Sequence, residues 1–277
     1  MKFGLKTLLA ASIVTAIAGC ASNGSSNSNV ASELVSAASN TERSEKNRAR
    51  DQYRNPVETL DFFGLEADMT VVEIAPGGGW YSEILAPAVK GSGTLYAAHF
   101  PADSKVKYYQ RSLAGFKGKV AQDNRFSEVK ITEFAPLTHS DIAPTGSADM
   151  VLTFRNVHNW YMRQGDEGVL NAFQAFNKAL KSGGVLGVVE HRLPEHRDNA
   201  DQKSSGYMKQ SYVVDIAKQA GFELVAQSDV NANPLDSANH PKGVWTLPPR
   251  LALGDKNADQ YKAIGESDRM TLKFKKL

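Results

Sequence analysis

Between Val71 and Leu85 the chain reads VVEIAPGGGWYSEIL, three adjacent glycines between an apolar β-rich run and the start of a helix. Glycine has no Cβ, so backbone N–H groups there can approach a ligand closely, and a helix N-terminus facing the same space favours a polar or negative group. Each glycine costs conformational entropy, about 0.5–1 kcal/mol relative to alanine in a regular element, and a bare turn does not require three. Three other polar clusters follow apolar runs: His99 closes GTLYAAH, Arg155–Tyr161 (RNVHNWY) follows DMVLTF, and Glu190-His191 close VLGVVEH. Histidine titrates near neutrality and can take a proton from an attacking O–H or N–H group.

Spacing excludes several chemistries. No Lys-Ser or Lys-Thr follows the glycines, so the loop is not a P-loop. With Gly77 as the middle glycine of G-x-G-x-x-G, the outer positions are Ala75 and Trp80. A tryptophan suits poorly the point where helix and strand must touch, which argues against a dinucleotide site. There is no H-E-x-x-H and no C-x-x-C, so no metal ligands are assigned, and no G-x-S-x-G marks a serine hydrolase.

These residues need elements to hold them. Asn55-Pro56 opens a helix through Phe63 that Gly64 closes. Strands are expected over 70–75, 93–99, 128–134, 149–154 and 185–190, with the nearly all-apolar fourth at the centre. A helix begins at Trp80 and is interrupted by Pro87. Further helices are expected over 167–180, ended by Gly183-Gly184, and over 207–220. The last two strands are 222–227 and 270–274, joined by a long insertion, 228–268, that is expected to be ordered over one end of the sheet. Strands alternating with helices make an α/β fold with a mostly parallel sheet and helices on both faces. His99, His158, Glu190 and His191 then fall at carboxyl ends of strands, where such folds bind ligands. Arg50, Tyr53 and Arg54 read as the face of an amphipathic helix.

With Glu73, Ala75, Gly77 and Gly79 on its four positions, the loop resembles the first motif of class I S-adenosylmethionine methyltransferases, an acid followed by G-x-G-x-G, with alanine for the first glycine. The segments VVEIAPGGGWYSEILAP, DMVLTFRNVHNWY and GESDRMTLKF are similar to a group of exported bacterial methyltransferases. The resemblance spans roughly residues 50–277. It implies a Rossmann-like sheet of seven strands whose antiparallel last strand lies between strands five and six. It implies S-adenosylmethionine as cofactor, cradled by Gly77, Gly78 and Gly79, with Glu73 organising the loop and Ala75 and Tyr81 beside it, Ser82 next to them. At the end of strand two, where the family carries Asp or Glu for the ribose, stand His99 and, four residues on, Asp103. His158 is the expected base, Asn156 a positioning residue, and Arg155, Trp160 and Glu190 the residues facing the acceptor, with His240–Trp245 of the insertion beside them.

The chain begins MKFGLKTLLAASIVTAIAGC, which reads as a signal peptide over 1–19 followed by Cys20, the single cysteine, in a lipobox-like setting. Ala21 after it favours the outer over the inner membrane. Residues 20–40, rich in Ser, Asn and Ala, are expected to form a flexible tether, and 41–277 the folded domain. Lys2 and Lys6 account for the net charge of +2, so without the signal bases and acids balance and nothing argues for nucleic acid. The resulting expectation is a lipid-anchored methyltransferase acting on a small molecule or envelope component. Two alternatives stay open: a non-catalytic lipoprotein that binds a nucleoside or other small ligand, and a histidine-based hydrolase or lyase, with or without a metal.

Overall fold

The computed structural model describes Met1 and residues 24–277, with side chains from Ser32 on. The expected signal peptide and Cys20 lie outside these residues. Ahead of the sheet come α1 (Gly24–Ser39), the single turns α2 (Glu45–Arg48) and α3 (Asp51–Arg54), and α4 (Pro56–Phe63). The alternating part runs β1 (Thr70–Ile74), α5 (Ser82–Val89), β2 (Thr94–His99), α6 (Lys107–Gln122), β3 (Lys130–Glu133), β4 (Ala148–Phe154), α7 (Val157–Ala179), β5 (Leu180–Leu193), β6 (Met208–Lys209), α8 (Gln210–Gln219) and β7 (Phe222–Ser228). The insertion carries β8 (Pro241–Val244) and α9 (Ala258–Ile264) before β9 (Arg269–Lys276).

The sheet order is β3-β2-β1-β4-β5-β9-β7, with β6 added against β5. Pairing is parallel from β3 through β5, whereas β9 runs antiparallel to both β5 and β7. The expected seven strands are therefore present, the last lying between β5 and β7, and β6 is an eighth of two residues. Strand order reverses between β1 and β4, which opens a crevice beyond their carboxyl ends.

Alternation along the strands feeds two apolar layers. On one side Val72, Ile74 and Val151 meet Phe173 and Phe176 of α7 and Ile216 of α8. On the other, Val71, Met150 and Leu152 meet Phe63 of α4, Ile84 of α5 and Phe116 of α6. Gly187 makes the second layer possible, since a Cβ there would lie 2.6 Å from Leu152 and 2.9 Å from Phe63. Gly64 ends α4 at φ 78°, as the sequence predicts.

Four expectations need correcting. Residues 24–39 are not a tether but helix α1, whose Leu34 and Ala37 are buried in the layer formed by α4 and α5. Pro87 lies inside α5 rather than ending it, because Ile84, Leu85, Ala88 and Val89 are all buried and hold the helix together. Helix α7 starts at Val157, ten residues earlier than expected, with a break at Gly165 (φ 62°, ψ −152°) that hides the periodicity. Helix α8 begins at Gln210 because Met208 and Lys209 pair with Arg192 and Leu193 of β5.

Candidate functional site

The glycine loop leaves β1 through Ala75, which sits at φ 47°, a left-handed conformation that costs a non-glycine residue roughly 1–2 kcal/mol. The three glycines divide the work. A Cβ on Gly77 or Gly78 would meet nothing within 4 Å, so both keep an open face for a ligand. A Cβ on Gly79 would lie 3.0 Å from the Phe116 ring, so that glycine serves the packing of α6. Glu73 is buried beneath the loop and accepts a 2.5 Å hydrogen bond from Ser82 Oγ, tying β1 to the first turn of α5. Burial raises its carboxyl to about 7, with the Ser82 bond and the charges of Lys119 and Arg155 opposing.

His99 carries the loop from below. Its Nε2 bonds the Gly77 carbonyl at 3.0 Å and Nδ1 accepts from the Phe100 N–H at 2.8 Å, so the ring is a neutral Nε2–H tautomer with both nitrogens spent. Burial lowers its pKa, the Gly77 bond opposing. His99 thus positions the loop and offers no free nitrogen to a ribose, while Asp103 is exposed. Tyr81 is likewise a packing residue, its ring stacked 3.6 Å from Phe154 and its hydroxyl donating to the Arg54 carbonyl at 3.2 Å. The loop fits the methionine end of S-adenosylmethionine, and the end of β2 presents no carboxylate to its ribose.

At the neighbouring strand end, β4 passes through Arg155, at φ 62°, into the first turn of α7. Asn156 Nδ2 donates to the Ile74 carbonyl (3.0 Å) and Thr153 Oγ1 (3.3 Å), locking this turn to the end of β1. It positions the site without facing an acceptor. His158 follows in the same turn. Its Nδ1 bonds Glu190 Oε1 at 2.8 Å, and its backbone N–H donates to Glu190 Oε2 at 3.3 Å. One buried carboxylate thereby orients the imidazole and caps the helix N-terminus. No described residue bonds His158 Nε2. This is the base-and-orienter geometry of general-base catalysis, so Glu190 supports His158 and does not face the acceptor.

His191 joins the pair although it follows Glu190 in a strand, because His158 lies beyond the strand ends rather than over one face. The two imidazole centroids are 5.2 Å apart, and His191 Nδ1 bonds Ser267 Oγ at 2.5 Å. Burial, then the charges of His158, Arg269, Arg155 and Arg54, holds its pKa well below the usual value. His158, Glu190 and His191 could each offer one atom to a metal within 4.8 Å of one another. Glu190 is already committed to three donors and the arginine charges oppose a cation, so no metal is assigned.

Trp160, expected to wall the pocket, belongs to the core, packing on Phe134 and Phe176 at 5.5 and 5.7 Å. The indole near His158 is that of Trp245, edge-on at 6.2 Å, brought there by the insertion. That insertion is held by buried Asp236, which accepts from Tyr207 Oη (3.0 Å), His240 Nε2 (2.7 Å) and the Asp268 N–H (2.8 Å). His240 is thus a structural partner. Sequence reading also missed Glu266 and Arg269 in GESDRM; Arg50, Arg54 and Arg269 converge on Glu266, and the charges were visible while their meeting point was not.

No known family pattern matches this chain, and no curated protein resembles it in sequence. Solved structures do resemble it in fold. A SAM-dependent methyltransferase from Aquifex aeolicus matches at TM-score 0.55 and 14% identity, over 83% of this chain and 93% of that one. The [4+2]-cyclase SpnF matches at 0.56 and 15%, over 90% and 93%. The CcbJ methyltransferase from Streptomyces caelestis matches at 0.52 and 13%, over 82% and 95%. The chain therefore has the Rossmann-like fold of S-adenosylmethionine-dependent methyltransferases, a fold that also carries a cyclase.

Proposed function

We propose that the chain is an S-adenosylmethionine-dependent methyltransferase acting on a small molecule or envelope component. The observation that carries this reading is the open face of Gly77 and Gly78 at the strand-order reversal, locked through Asn156 to the turn bearing His158. Bound there, S-adenosylmethionine supplies a methyl group on a sulfonium. Gly77 and Gly78 hold its methionine end, and Glu73 with Ser82 and His99 keeps the loop in shape. His158 Nε2 takes the proton from the acceptor O–H or N–H, and Glu190 stabilises the imidazolium that forms. Alignment contributes most of the acceleration, as expected for an in-line displacement. Export and lipidation at Cys20, with an outer-membrane location, are part of the proposal and rest on the sequence of the first twenty residues alone.

The test is calorimetric titration of the full chain with S-adenosylmethionine and S-adenosylhomocysteine, beside Gly77→Val. Micromolar binding abolished by valine is expected. A folded protein that binds neither compound sinks the proposal. One observation favours a second reading, a ligand-binding protein that keeps the fold without the reaction: both nitrogens of His99 are spent, so the ribose end lacks its usual acceptor. Binding without turnover would select it.

A further inference from the structure

Next to the His158–Glu190 pair lies a charge imbalance that methyl transfer does not require. Arg50 Nε donates to Glu266 Oε1 at 2.5 Å, Arg54 Nε to Glu266 Oε2 at 3.3 Å, and Arg269 Nη2 to that same oxygen. Arg155 is close enough for its charge to act on Arg54 and Glu266, and its guanidinium bonds no described residue. Three guanidiniums thus bond one carboxylate, and the charge of a fourth reaches it. The other nearby acids are occupied: Glu73 accepts from Ser82 and Glu190 holds His158.

The imbalance is partly buried: Arg54 is 3% and Arg269 2% exposed, and Arg54 Nη1 and Arg269 Nε have no acceptor, while Arg50 and Arg155 are half-buried. Burial, joined by mutual repulsion, pulls Arg54 well below the ordinary arginine pKa and Arg155 to about 10, so Arg155 remains charged at neutral pH. The Arg54 guanidinium lies 4.5 Å over the Trp80 ring, which offsets part of the cost of its burial, but Arg54 Nη1 and Arg269 Nε still lack the acceptor that an anion supplies. Glu266 meanwhile fixes Arg50, Arg54 and Arg269 in place, a prearranged set of forks suited to carboxylate or phosphoryl oxygens.

We propose that Arg54, Arg155 and Arg269 form a subsite for an oxyanion, a carboxylate or phosphoryl group, carried by the acceptor. Held there, such an acceptor lies close to His158, since Arg54 and Arg269 meet on Glu266, the adjacent Ser267 bonds His191, and the His191 and His158 rings are 5.2 Å apart. As a statement about the acceptor this rests on the methyl-transfer reading; as an anion site it does not. Trp245 and Ser267 then border an anionic small molecule rather than a neutral one.

The test titrates the full chain with inorganic phosphate and with acetate at ionic strength held by chloride, with and without S-adenosylhomocysteine. Wild type is compared with Arg155→Gln and Arg155→Lys. Expected is saturable binding of at least one anion, weakened about tenfold or more by glutamine, as befits a charge-assisted hydrogen bond, and partly restored by lysine. The tighter anion identifies the acceptor's group. Arg155→Gln is also expected to raise the melting temperature of the anion-free protein, because it relieves repulsion with Arg54 and Arg269. Anion binding with no response to S-adenosylhomocysteine keeps the site and discards only the methyl-transfer reading. No anion binding to folded wild type overturns the proposal, as does a lower melting temperature in the glutamine variant with affinity unchanged. So does an Arg155→Gln effect confined to S-adenosylhomocysteine and absent from its decarboxylated analogue, which would assign the arginines to the cofactor's own carboxylate.

Discussion

Glu73 and His158 carry the residue-scale consequences. With its carboxyl raised to about 7 from an ordinary 4.5, folded Glu73 binds a proton more tightly than the unfolded chain does. Its contribution to stability is therefore full below about pH 4.5 and lost as pH rises through 7. Glu73→Gln keeps an acceptor for Ser82 and removes that penalty. The variant is expected to be more stable than wild type by about 1–3 kcal/mol at pH 8, the gap closing toward pH 5. Urea unfolding at both pH values reads it, and a gap independent of pH contradicts the assignment. His158→Asn removes the nitrogen assigned as base in the proposed reaction. Turnover, followed as S-adenosylhomocysteine formed, is expected to fall by about 10²–10⁴ while S-adenosylhomocysteine affinity changes little. An equal loss in both would make His158 a structural residue.

At the scale of elements, glycines in the same sheet and loop answer to different neighbours. Gly187 lies where α4 closes on β4 and β5, and any Cβ collides with Leu152 and Phe63. Gly187→Ala is expected to destabilise the protein by about 1–3 kcal/mol through overpacking. Gly78 has open space above it and a backbone that alanine can adopt. Gly78→Ala is therefore expected to leave stability within about 0.5 kcal/mol of wild type while weakening cofactor binding. Denaturation and calorimetry on the pair separate packing glycines from ligand glycines. The reverse pattern, a stability loss at Gly78 and none at Gly187, would refute the division.

For the whole molecule, the folded unit reaches back to α1. Leu34 is fully buried and Ala37 nearly so, against a layer that includes Leu60 and Leu85. A chain beginning at Thr41 uncovers that surface and is expected to lose about 2–4 kcal/mol of unfolding free energy relative to one beginning at Gly24. Leu34→Ala in the longer chain should reproduce much of the loss. Equal melting temperatures for the two lengths would show that α1 contributes no net stability.

Much of the fold was legible because its signals are local. Apolar runs such as Asp149–Phe154, the Asn55-Pro56 opening and Gly64 closing of α4, and three glycines after the first strand each act through their immediate neighbours. By itself the sequence determined the order of the seven main strands, the place of the glycine loop, and the nearness of His158 and Glu190 to strand ends, while helices α1, α6 and α9 appeared only in the structure. Tertiary structure alone decided what those residues touch. The bond between His158 and Glu190 spans 32 residues, and that between Arg54 and Glu266 spans 212. It also sent Trp160 into the core, brought Trp245 beside His158, turned His99 under the loop and buried one edge of a polar N-terminal segment. Spacing along a chain sets the rotation of a side chain about its own element; which partner it meets depends on sheet register and crossover, and these are properties of the assembled fold.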